Sequence, residues 1–157
     1  MSRKRKTRRV VGDVVAIPLG DSEQVGFGVV LEEPLMAFFD VSAKAGAEPS
    51  VGEIARYPVA FRIWVMNQPI VDGLWPVLGK VDVPEELAVA PWFFKQDPIS
   101  GKLTVGRTGS EERLPEPGQV DSLERAAVWS AAHVVDRLQD HFAGKPNKWV
   151  ASMRPKK

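Results

Sequence analysis

Apolar side chains recur at every second position in two stretches of this chain, a spacing that suits a pleated strand and not a helix. In 24–31, Val25, Phe27, Val29 and Leu31 fall on one side, with Gln24, Gly26, Gly28 and Val30 on the other. In 58–66, Val59, Phe61, Ile63 and Val65 oppose Ala60, Arg62, Trp64 and Met66. Further strands are expected at 13–19, 35–41, 75–83, 91–96 and 102–107. Glycine or proline interrupts nearly every junction, which keeps the strands short and lets the sheet curl. Pro18 cannot donate to a ladder, so the end of the first strand should lie at a sheet edge. Gly26 and Gly28 share one strand face, where a missing Cβ would admit an aromatic ring or a neighbouring backbone.

Helical signals are fewer. Ser50 with Glu53 suits a capping box for one short turn, and Asp121 with Glu124 places the same signal before SLERAAV. The strongest helix spans 131–143, with Ser130 as N-cap and Gly144 past its end. Val134, Val135, Leu138 and Phe142 recur at helical spacing and should pack on the sheet. The expected fold is α+β: a strongly bent, mostly antiparallel β-sheet or partial barrel with helices at the C-terminus. A length of 157 residues suits one domain over 10–153, with a disordered basic tail at 1–9 and a frayed basic end at 154–157.

Catalytic chemistry finds few groups to work with. There is no cysteine, which removes disulfides, thiolate metal sites and thiol nucleophiles. The two histidines, His133 and His141, lie eight residues apart on one expected helix, about 12 Å along its axis, and cannot share a proton or a metal ion. Adjacent carboxylates at Glu32–Glu33, Glu85–Glu86 and Glu111–Glu112 would point to opposite sides of a strand. The glycines at 26–28 lack the ending of a phosphate loop. We therefore expect a non-enzymatic protein with no cofactor and no metal site. No apolar run approaches the roughly 18 residues of a membrane span, and the N-terminus carries no secretory signal pattern. These features, with the lack of cysteine, suggest a cytoplasmic protein.

The net charge of +1 conceals a strong asymmetry. Six basic residues, Arg3, Lys4, Arg5, Lys6, Arg8 and Arg9, crowd the N-terminus, and Arg154, Lys156 and Lys157 close the chain. Between them, residues 10–153 carry 12 basic against 20 acidic side chains, a net of −8. An acidic body attracts basic partners and speeds encounter. Asp136 and Asp140, four apart on the expected helix, read either as a solvated polar face or as a pair whose mutual repulsion a basic partner would offset. Among five tryptophans, Trp64 and Trp75 are the better surface anchors, whereas the run Trp92–Phe93–Phe94 reads as a strand buried on both sides. The basic tail also allows an alternative reading, a nucleic-acid-associated β-barrel module that grips phosphates through those six N-terminal residues.

The ordered series GDVVAIPLG (12–20), VGFGVVLEEPLMAFFDV (25–41), PVAFRIWVM, GLWPVLGKV, PWFFKQDPISGKL and LERAAVWSAAHVVDRLQDHF resembles the immunity protein 26 family of bacterial polymorphic toxin systems. The resemblance spans about 11–150 and leaves out the basic tail. It implies a protein that binds and neutralises a cognate toxin domain, and it carries no residue-level site. If that toxin is a nuclease with a basic surface, the contacts expected from charge and aromatic character are Trp64, Asp72, Trp75, Glu85, Glu86, Asp136 and Asp140.

Overall fold

The structure is a computed structural model that describes residues 8–156. Arg3, Lys4, Arg5 and Lys6 of the basic tail, and Lys157, lie outside the described residues.

Strands β1 (Asp13–Pro18), β2 (Gln24–Val30), β3 (Leu35–Lys44), β4 (Val59–Val65), β5 (Val77–Lys80) and β9 (Val128–Trp129) form one sheet in the order β5-β1-β2-β3-β4-β9. All neighbours are antiparallel except β4 and β9. A smaller sheet, β7-β6-β8, combines β6 (Phe93–Gln96), β7 (Leu103–Gly106) and β8 (Glu124–Arg125). The expected α+β class with a mostly antiparallel sheet holds, but the strands divide between two open sheets, and among the described residues no barrel closes. The helices are α1 (Val51–Ile54), α2 (Gln68–Val71), α3 (Glu85–Ala88), α4 (Ala131–Ala143) and α5 (Lys148–Ser152).

The large sheet is covered on both faces, which explains why β1 and β3 read as continuous apolar runs. On one face Ile17, Met36, Phe38, Ile63 and Trp129 pack with Val134 and Leu138 of α4. On the other, Phe27, Val29, Ala37 and Phe39 pack with Ile54 of α1 and Phe93 of β6. The glycine face of β2 meets bulky neighbours at close range. A Cβ on Gly28 would lie 3.1 Å from the Phe38 ring, and one on Gly26 would lie 3.2 Å from Leu138. The Trp92–Phe94 run joins the two sheets, with Phe93 buried in the large-sheet core while Phe94 and Trp92 pack under the small sheet.

The ends of α4 follow its capping residues. Ser130 accepts a hydrogen bond from the His133 N–H, and Gly144 takes the left-handed conformation at φ 68°. At α1, the Ser50 hydroxyl accepts from Glu53 N–H as the spacing predicts.

Four expectations need correction. The capping signal at Asp121 and Glu124 opens no α-helix: a 3-10 turn at Gln119–Ser122 gives way to β8 and β9. Pairing with β6 and burial of Trp129 outweigh the local preference. Arg9 belongs to the body and not to the tail. Its Nη1 donates to the Val65 carbonyl at 2.7 Å and to Asn67 Oδ1 at 2.9 Å, and Nη2 donates to the Pro34 carbonyl. The C-terminus does not fray through Lys156. Arg154 donates to the carbonyls of Leu123 and Val120, both at 2.8 Å, and Lys156 exchanges backbone bonds with the Gln96 amide. Trp75 is core, only 3% exposed and edge-on to Phe38 with ring centroids 6.1 Å apart.

Candidate functional site

The residues predicted as contacts do not form one surface. Asp136 and Asp140 lie on α4, against one face of the large sheet, whereas Glu85 and Glu86 open α3 across the other face, where Leu87 packs. Asp72 sits exposed at the end of α2 and accepts from Gln68 Nε2 at 3.0 Å. Trp64 is half-buried, its ring 4.7 Å from that of Phe93. Trp75, being buried, offers no contact.

Two hollows contain acids singled out in the sequence, Asp136 with Asp140 in one and Glu86 in the other. The first, about 350 Å³, lies between α4 and α5. Helical spacing puts Asp136 and Asp140 on one side of α4, and the turn into α5 folds back over them. Trp149 Nε1 donates to Asp136 Oδ2 at 2.9 Å, and Asn147 Nδ2 donates to Asp140 Oδ2 at 2.9 Å. Each carboxylate is oriented by a neutral donor, and Lys148, which also lines the hollow with its ammonium 4.6 Å over the Trp149 ring, lies within salt-bridge distance of neither. Each keeps Oδ1 without a hydrogen-bond donor among the described residues. The His133 ring stacks on Trp149, centroids 3.7 Å apart, and stiffens the rim. His141, exposed at the other end of α4, places Nε2 2.7 Å from Asp40 Oδ1 and so ties the helix to β3. The two histidines do not meet.

The second hollow, about 480 Å³, opens between β4, β6 and β8. Phe61, Trp92 and Phe93 wall it, Arg62 and Glu124 supply charge inside, and Glu86 stands at the rim. Arg62 Nη1 donates to the carbonyl of Val89 at 2.9 Å. Burial holds its pKa below the usual arginine value. Glu124 is neutralised by Arg137 through two hydrogen bonds of 2.8 Å, and that guanidinium lies 3.8 Å over the Phe61 ring. In the sequence, Arg62 figures only on a strand face and Glu124 only in a capping signal, and nothing singles out Arg137 or the Arg137–Glu124 pair. Arg62 could be suspected there, as a cation amid an otherwise apolar strand, but Arg137 and Glu124 are 13 residues apart and carry no pattern.

Among the described residues no three histidine, aspartate or glutamate side chains converge as metal ligands. No described helix is long and apolar enough to cross a membrane.

Comparison with curated proteins and with solved structures gives no match. The sequence model described as immunity protein 26 matches residues 10–103. That stretch is more than half of the chain. It contains β1 to β6, α1 to α3, Arg62 and Glu86, but not α4 and its aspartates. This chain belongs to the immunity protein 26 family.

Proposed function

We propose that this protein binds a cognate bacterial toxin domain in the cytoplasm and neutralises it by covering its working surface, without chemistry of its own. The observation that carries the reading is the family match over residues 10–103. Charge supports the choice of partner. The stretch 9–154, which takes in the two clamped arginines, holds 14 basic against 20 acidic residues, a net of −6. A toxin that grips phosphates, such as a nuclease, presents the complementary basic surface. The α4–α5 hollow suits an arginine or lysine of that toxin, because Asp136 and Asp140 are already oriented, carry two like charges at close spacing and form no salt bridge with Lys148 beside them. Exposed Asp72, Glu85 and Glu86 extend the negative field.

The test is coexpression with the toxin encoded beside this gene. Wild-type protein should restore growth, and D136N/D140N should restore it poorly while keeping its fold by circular dichroism. If the wild type leaves the cells dying, neutralisation is wrong. If the double variant protects as well as the wild type, the α4–α5 hollow is not the contact.

A further inference from the structure

The cleft around Arg62 combines two sets of groups without a partner among the described residues, and both point to the same occupant. The first is a backbone edge. β9 pairs with β4 only at Trp64 and Val65, and the Met66 N–H bonds the Trp129 carbonyl beside that pairing. Backbone groups alternate sides along a strand, so the N–H and C=O of Arg62 face the same edge, beyond the end of β9. That edge lines the cleft. The second is a charge. Arg62 spends Nη1 on the carbonyls of Leu87 and Val89, while Nε and Nη2 have no hydrogen-bond partner among the described residues. No carboxylate among them lies within salt-bridge distance of Arg62. The other acid inside the cleft, Glu124, is already held by Arg137.

We propose that the Arg62 cleft receives an extended segment of the partner protein, which adds as a short strand to the open edge of β4 and places one aspartate or glutamate on the Arg62 guanidinium. Strand addition satisfies the free backbone edge, and the carboxylate satisfies the fork. The aromatic walls, Phe61, Trp92 and Phe93, would cover apolar residues flanking the acid. Glu86 at the rim disfavours a dianion such as phosphate. One acidic contact is consistent with a basic toxin: the overall field governs encounter, and a single charge of reversed sign fixes register.

The inference rests on the partner-binding reading, yet its test needs no toxin. Failure here would leave the coexpression result standing, and the reverse also holds. The full-length ¹⁵N-labelled protein is titrated with acetyl-Val-Glu-Val-amide, its glutamine counterpart, the glutamate peptide N-methylated at its central residue, and inorganic phosphate. Saturable shifts at the amides of 60–62 and 91–93 are expected with the first peptide. The glutamine and N-methylated peptides should bind roughly fivefold more weakly or worse. Arg62→Gln should abolish the preference for glutamate. Equal binding of all three peptides, a stronger response to phosphate, or no saturable shift at those amides would overturn the proposal. The peptide comparison on the wild type decides it even if Arg62→Gln fails to fold.

Discussion

Gly28 shows how much a single missing Cβ carries. The Phe38 ring occupies the space above it and the Ala37 carbonyl lies equally close, 3.1 Å from where a Cβ would stand. A flexible side chain could step aside, but a strand backbone and a buried ring cannot. Gly28→Ala is therefore expected to cost about 1–3 kcal/mol, the usual penalty for overpacking. Gly52 in α1 is the control, because nothing lies within 4 Å of its Cβ position. There alanine should add a few tenths to about 1 kcal/mol by restricting the unfolded chain. Urea denaturation of both variants checks the pair, and equal effects would show that the ring contact does not matter. The glycine face was legible from the period-two spacing. Arg9 was not legible, because charge assigned it to the tail while its acceptors, Pro34 and Val65, lie 25 and 56 residues away.

Elements whose signal is local were readable, and those that exist only through a distant partner were not. All seven strands expected from alternation and turn residues occur, and α4 starts and stops where Ser130 and Gly144 place it. By contrast, β8 and β9 are two residues each, too short for periodicity, and exist because β6 and β4 offer them parallel edges. The candidate site divides in the same way. The i, i+4 aspartates of α4 were visible, but the Trp149 and Asn147 donors that orient them come from α5, which gave no signal. The C-terminal segment is likewise a tertiary element. Arg154 crosses to the carbonyls of Val120 and Leu123 and lies 5.1 Å over the Phe94 ring, fastening the segment to the small sheet. Arg154→Ala removes two charge-assisted bonds and the packing of the stem, so a loss of about 1–3 kcal/mol is expected. Lys156→Ala should be silent, because Lys156 is held through its backbone. Thermal unfolding of the two variants separates these outcomes, and an unchanged melting temperature for Arg154→Ala would refute the fastening role.

At the scale of the whole molecule, charge and shape do different work. The hollows are fixed by packing, since α4 and α5 share the core of one sheet face while β6 is tied to the other through Phe93. The acidic surplus belongs to no single hollow: Glu32, Glu33 and Asp72 are exposed beyond either one, and Glu85 and Glu86 lie across the sheet from Asp136 and Asp140. A distributed field of this kind acts mainly before contact, by raising the rate of encounter with a basic partner, and salt screens it over about 10 Å at 0.1 M. Short-range contacts act afterwards, on dissociation, and feel salt much less. With the toxin in hand, the association rate should fall roughly tenfold or more between about 20 mM and 300 mM salt, while dissociation changes by only about twofold. Stopped-flow mixing at several ionic strengths measures both. An association rate indifferent to salt would mean that the net negative body plays no part in finding the partner, and the case for a basic toxin would then lose its electrostatic support.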